Sequence, residues 1–241
     1  MIELYQFPLS HYCEKVRWVL DYKGLAYRCI NLLPGLHLNK MKKISGRTSV
    51  PVLVDGQTVV RDSHKIIDYL EQTYSDKPVT PKQASQKKAV IAWEKFADEE
   101  VGPHVRRICY HYLLDRPDIL IPIFSYQGPW YSAIYLKLAF PQLQKKMRHF
   151  MKISPQETEK SKQALEQAFI KINLRLAEAQ FLGGDNFSRA DIALASLLAP
   201  LIRPVNYGGK RAEFYPNALQ AYVDSQSDNL IWVKNLYATK R

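Results

Sequence analysis

A short apolar run, Ile2–Tyr5, passes within a few residues into Phe7-Pro-Leu-Ser-His-Tyr-Cys-Glu-Lys-Val-Arg17, which opens a segment carrying Val16, Val19 and Leu20 on one helical face. A strand turning directly into a helix puts Ser10 at the junction. The first N–H groups of such a helix have no partner within it, and the helix dipole is positive there, so the junction favours an anion or a thiolate. Serine is also a preferred N-cap, and Ser10 can serve as a cap and nothing more.

The same alternation continues through residue 75. Gly24 ends the first helix, Tyr27–Asn31 is a second strand, Leu33-Pro-Gly-Leu36 a loop, and a short polar helix around Leu38–Ile44 leads to Gly46. Val50-Pro-Val-Leu-Val54, the turn Asp55-Gly56 and Thr58–Arg61 form a β-hairpin, and a helix from about Ser63 places Ile66, Ile67, Leu70 and Tyr74 on one side. The order is βαβαββα. Pro51 cannot donate to a sheet ladder, so it is an edge residue or the site of a cis Val50–Pro51 bond, which leaves the Val50 backbone able to pair with an extended peptide. Asp62-Ser63 forms a second anion-ready helix start, where Ser63 donates a hydroxyl and an N–H and Asp62 accepts from an ammonium group. Both are equally ordinary helix-start residues.

Ser75-Asp-Lys-Pro-Val-Thr-Pro81 is polar and proline-bearing, and the pattern changes beyond it. The predicted organisation is an α/β domain over 1–75, a linker over 76–81 and an all-helical domain over 82–241. Helices are expected at Ala84–Val101, Pro103–Leu114, Tyr131–Met151 with a break at Pro141, Thr158–Gln180 and Asp191–Ile202; Asp115–Trp130 is left unassigned. In Gly183-Gly-Asp-Asn-Phe-Ser-Arg-Ala-Asp191, Ser188 and Asp191 have the spacing of a capping box and Phe187 that of a staple onto Ile192, which is folding chemistry.

Charge and cysteine content narrow the function classes. The net charge is +11; residues 1–76 hold 10 Lys/Arg against 8 Asp/Glu, leaving 24 against 15 for the rest, so the excess lies in the second part. Its densest cluster, Lys145, Lys146, Arg148 and Lys152, is a solvated face or meets an acidic partner or lipid surface. It has none of the aromatic interleaving of a nucleic-acid site, so no nucleic acid is expected. Cys13, Cys29 and Cys109 are too few and scattered for a disulfide framework, and no metal-site spacing occurs. Without a cleavable leader or a long apolar stretch, a cytoplasmic protein with no stable membrane insertion is expected.

Taken together, these features resemble the soluble (cytosolic) glutathione transferase family of serine type, as in bacterial and plant-like classes. Ser10-His-Tyr-Cys-Glu-Lys-Val-Arg17 is similar to the first helix of its thioredoxin-like domain, Val50-Pro51 to its cis-proline site, Asp62-Ser63 to its γ-glutamyl site, and the Ser188–Asp191 box to a capping signature of its helical domain. The resemblance implies glutathione as co-substrate. Its cysteine moiety would pair with the Val50 backbone beside Pro51, its γ-glutamyl end would meet Asp62 and Ser63, and its thiol would reach Ser10. His37 and Lys40 are approximate matches for residues that hold its glycine end. The implied activity is conjugation of the glutathione thiolate to an electrophilic, mostly apolar small molecule, in a homodimeric detoxification enzyme. Trp130, Tyr131, Tyr110 and Phe124 are candidates for the wall of the apolar site, though aromatic residues at helical spacing also build plain core.

Two residues compete with Ser10. Tyr5 stands close to where tyrosine-type classes place their hydroxyl, and Cys13 takes the resolving position of a glutaredoxin-like pair whose attacking cysteine is replaced by Ser10. Cys13 supports an alternative, a glutathione-dependent thiol or peroxide reductase. A third reading is a non-catalytic module that keeps the fold and binds ligands or a protein partner.

Overall fold

The computed structural model describes residues 1–208 and 215–241. Four strands, β1 (Ile2–Gln6), β2 (Tyr27–Asn31), β3 (Val52–Asp55) and β4 (Thr58–Arg61), form one mixed sheet in the order β2-β1-β3-β4. β1 runs parallel to β2 and antiparallel to β3, which pairs antiparallel with β4. α1 (His11–Lys23) supplies the crossover between the parallel strands; Val16, Val19 and Leu20 on it are fully buried, and Gly24 ends it at φ 71. α2 (His37–Ser45) covers the other face, where Met41 and Ile44 pack with Leu32, Val52 and Val54, and α3 (Ser63–Thr73) lies beside α1. This is the predicted thioredoxin-like βαβαββα unit.

The rest is mostly helical. α4 (Ala84–Phe96) continues through one π turn (Ala97–Val101) into α5 (Gly102–Leu113), so the two helices expected on either side of Gly102-Pro103 form one continuous rod. The π turn is engaged from α1: the Tyr12 hydroxyl donates to the Asp98 carbonyl at 2.7 Å, and Lys15 Nζ donates to the Asp98 carboxylate. A Cβ on Gly102 would stand 2.5 Å from the Tyr12 hydroxyl, so only glycine admits this approach. α6 (Pro117–Phe124) occupies part of the unassigned interval. α7 (Ser132–Phe150) runs unbroken through Pro141, against the expected break. Pro141 faces solvent, where the carbonyl that loses its helical donor is hydrated instead.

α8 (Pro155–Glu178) leads to α9 (Arg189–Ile202), apolar on nearly every side and buried at the centre of the fold against α1, α4 and α5. The capping box at its start is present: Asp191 accepts from the Ser188 N–H and hydroxyl and from the Leu182 N–H, all at 2.8 Å, while burial lifts its carboxyl to about 6. Phe187 stacks with Trp18, Tyr22 and Phe181. α10 (Asn217–Ser225) and α11 (Ile231–Lys240) close the chain, α11 being tied to α1 by the Trp18 indole N–H donating to the Lys240 carbonyl at 3.1 Å.

Buried charge joins the two parts. Glu94 lies 2.8 Å from Lys15 and 2.7 Å from Arg189, and all three side chains are at most 3% exposed. Lys15 also meets Asp98, and Arg189 reaches Asp68 and the His64 carbonyl on α3. Among the described residues, no helix is long and apolar enough to cross a membrane.

Candidate functional site

Strand direction determines which loops meet. Tyr5 pairs with Val52, Val52 with Arg61, and Gln6 with Asn31. The chain leaving β1 toward Ser10, the chain entering β3 from Val50-Pro51, the chain leaving β4 into Asp62-Ser63 and the chain leaving β2 toward His37 therefore converge on one end of the sheet. The Val50–Pro51 peptide is cis. Ser10, half-buried, caps α1 through a long 3.4 Å bond from the Cys13 N–H to its Oγ. That bond uses a lone pair and leaves the hydroxyl proton free, so capping and donation to a thiolate are compatible.

Between this sheet end and the helices lies a cavity of about 390 Å³. Phe7, Ser10, His37 and Val50 line one side; α5 contributes Arg106, Cys109, Tyr110 and Leu113, α6 contributes Phe124, α7 contributes Leu143 and Met147, and Tyr207 follows α9. Two hydroxyls stitch the walls together: Tyr135 on α7 donates to the Pro34 carbonyl at 3.1 Å, and Tyr207 donates to the Leu9 carbonyl.

Several of the residues singled out from sequence meet at this cavity and others lie outside it. Ser10, His37 and Val50 line it. Asp62, held at φ 66, and the buried Ser63 stand at the same sheet end beyond its lining. The His37 ring packs edge-on against Phe7 and accepts from the Gly35 N–H; its imidazole is held below its usual pKa, first by burial. Tyr5 sits on the α2 face of the sheet, its hydroxyl donating to Glu3 at 2.9 Å, and it does not line the cavity. Burial, then the bond to Glu3, raise its pKa, the opposite of what an activating hydroxyl needs. Cys13 is fully buried with its thiol pushed upward by burial. Tyr110 and Phe124 line the cavity as expected, but Trp130 and Tyr131 do not, and Trp130 is 88% exposed. Lys40 lies over the Tyr5 ring, 5.2 Å from its centre.

Sequence reading missed His11, Arg106 and Tyr207. The His11 imidazole is buried beside the Leu197 carbonyl with its Nε2 unpartnered, and burial followed by the nearby Arg106 cation drives its pKa to about 3. It is neutral at any physiological pH. Nothing in the local sequence marks these residues, because they meet only when α1, α5 and α9 pack. Among the described residues, no group of three His, Cys, Asp or Glu side chains is placed to hold a metal ion.

Residues 4–78 match the family described as glutathione S-transferase, N-terminal domain. Glutathione S-transferase Z2 of Arabidopsis thaliana is 33% identical over 118 residues, covering 48% of this chain and 53% of that protein. The chain spans about half the length of the curated relatives it matches, 53%, 46% and 55% for three of them. In fold, it is similar to glutathione transferase F2 from Populus trichocarpa, with a TM-score of 0.66 at 17% identity over 99% of this chain and 94% of that one. It is likewise similar to a glutathione S-transferase-I bound with the ligand lactoylglutathione, with a TM-score of 0.64 at 16% identity and 98% of each chain covered.

Proposed function

We propose that the chain conjugates the glutathione thiolate to electrophilic, mostly apolar small molecules, since residues 4–78 match the glutathione S-transferase N-terminal domain family and the chain shares the fold of such enzymes over nearly its whole length. The carrying observation is that Ser10, with an uncommitted hydroxyl proton at the N-terminus of α1, shares one cavity with Val50 and His37 on one side and an apolar helical wall on the other. In this reading glutathione pairs with the Val50 backbone, places its γ-glutamyl end at Asp62 and Ser63 and its glycine end near His37, and points its thiol at Ser10. An ordinary cysteine thiol ionises near ~8.5 and is mostly protonated at neutral pH. A hydrogen bond from Ser10 and the positive end of α1 favour the thiolate, whose sulfur then forms a bond to the electrophilic carbon as the leaving group departs with its electrons. The protein acts in the cytoplasm as a homodimer, by analogy with the family.

Burial weighs against the reductase alternative, since Cys13 is sealed from the cavity and held protonated. Retention on glutathione-agarose followed by a panel of model electrophiles and a peroxide tests the assignment. Retention with conjugation supports it, retention with peroxide reduction alone favours the reductase, and failure of both favours a non-catalytic module.

Two substitutions probe the glutathione contacts. Ser63→Ala is expected to weaken glutathione binding by roughly 1.5–3 kcal/mol, the worth of a hydrogen bond to a charged group, while leaving the melting temperature nearly unchanged. Unaltered affinity in calorimetry would remove Ser63 from the site. Cys13→Ser is expected to retain most conjugating activity; its abolition, with Ser10 replaceable, would transfer the chemistry to the cysteine.

A further inference from the structure

One side chain in the cavity carries a charge that no described residue balances. Arg106 lines the wall formed by α5, its Nε buried without a partner, and it makes no hydrogen bond or ion pair with any described residue. Several other described arginines are engaged. Arg107 donates to the Met151 carbonyl and to Ser161 Oγ, Arg189 meets Glu94 and Asp68, and Arg17 meets Glu14. Arg203, on the same cavity, bonds Gln220 at 3.2 Å and covers the Tyr215 ring. Among the described lining residues there is no Asp or Glu.

The surroundings sharpen the contrast. Arg106 stands close enough to His11 and Tyr12 to act on both electrostatically. His11 stays neutral, and Tyr12 keeps its proton in a hydrogen bond to the Asp98 carbonyl, so neither supplies a counter-charge. A guanidinium keeps its charge at every working pH, and its planar fork of N–H donors matches two oxygens of one anion. Its Nε is buried without an acceptor while the rest of the fork opens on the cavity, so an anion that enters with a ligand can pair with it in place of water.

We propose that the electrophile carries a carboxylate on its apolar body, and that Arg106 is the specificity-determining residue that holds it. The second substrate is then an acidic, part-aromatic or part-aliphatic molecule rather than a purely neutral one. This deepens the transferase reading for the same site, but the anion contact itself requires no turnover.

The test is a pair of calorimetric titrations of the full chain with a nitro-substituted chlorobenzoate and the corresponding chlorobenzamide, matched in shape and differing in charge. S-methylglutathione is present at saturation to block reaction and occupy the positions of glutathione's own carboxylates. The benzoate is expected to bind at least about tenfold more tightly than the benzamide, as a charge-assisted pair replaces a neutral contact. Arg106→Met should bring the ratio close to one, and Arg106→Lys should leave an intermediate ratio because an ammonium keeps the charge and loses the fork. Equal affinity, or binding of neither compound, in the unsubstituted protein overturns the proposal without any variant. So does a preference that survives Arg106→Met, or one that appears only without S-methylglutathione, since Arg106 then holds a carboxylate of glutathione itself. A protein that fails to conjugate yet keeps an Arg106-dependent preference loses the transferase assignment and retains the acid site.

Discussion

Ser10→Ala is expected to lower turnover in conjugation roughly 25-fold at neutral pH while changing glutathione affinity far less. The expected loss follows from a thiol pKa that rises by about two units when its hydroxyl donor is removed. In the proposed reading ground-state binding rests on contacts elsewhere, at Val50 and at the Asp62-Ser63 helix start, so kcat should fall more than KM rises. The rate of the variant should recover in alkaline buffer, which a misfolded protein would not do. Loss of an N-cap typically costs ~1 kcal/mol; here the cap bond is 3.4 Å long, which puts its worth at or below that value. Ser10→Asp, which keeps a capping acceptor and when ionised has no proton to donate, separates the two roles. If Ser10→Asp is as active as the native protein, the serine hydroxyl has no chemical part.

Glu94→Ala is expected to destabilise the folded protein by about 3–5 kcal/mol and to lower the melting temperature by roughly 10 °C. Glu94 is 2% exposed and stands between Lys15 on α1 and Arg189 at the start of α9. Its Oε1 and the Arg189 Nε meet their partners as close ion pairs off the hydrogen-bond direction, so their worth is chiefly coulombic. Removing the carboxylate leaves two cations facing each other in a buried space. Lys15 retains Asp98 and Arg189 retains Asp68, which limits the loss to the lower part of that range. A double substitution, Lys15→Met with Glu94→Leu, should lose less than the sum of its single variants because no unpaired charge is left between those positions. A fall in stability below about 1 kcal/mol for Glu94→Ala would mean that water reaches the cluster and screens it.

The N-terminal architecture was legible because its signals are local. Tyr27–Asn31 and Thr58–Arg61 are bounded by Gly24 and by the Asp55-Gly56 turn, and the observed strands β2 and β4 have those limits. Ser188 and Asp191 declare a helix start by spacing alone, and the box forms. Pro141 misled because a proline in a helix is costly chiefly where its lost bond is buried, and burial cannot be read from residue type. α10 and α11 escaped notice because they are short, 9 and 10 residues, and their contacts are made with α5, α9 and α1 far away in sequence. The candidate site divides in the same way. Ser10, Val50 and His37 lie next to strand ends that the register brings together. Arg106 is distinguished by what its neighbours lack, and Trp130, an apparent wall residue, points into solvent. The Tyr5 hydroxyl was ambiguous in sequence because strand alternation alone does not say which sheet face the cavity borders; Glu3, two residues away on the same face, takes it up.

The central claim is that Ser10 donates a hydrogen bond to the glutathione thiolate. Its most direct measurement is the ultraviolet thiolate absorbance of bound glutathione, titrated with pH in the native protein and in Ser10→Ala at saturating glutathione. The account predicts a midpoint well below that of free glutathione for the native protein, and one about two units higher in the variant. The same midpoint in both proteins would contradict it and leave Ser10 as the cap of α1.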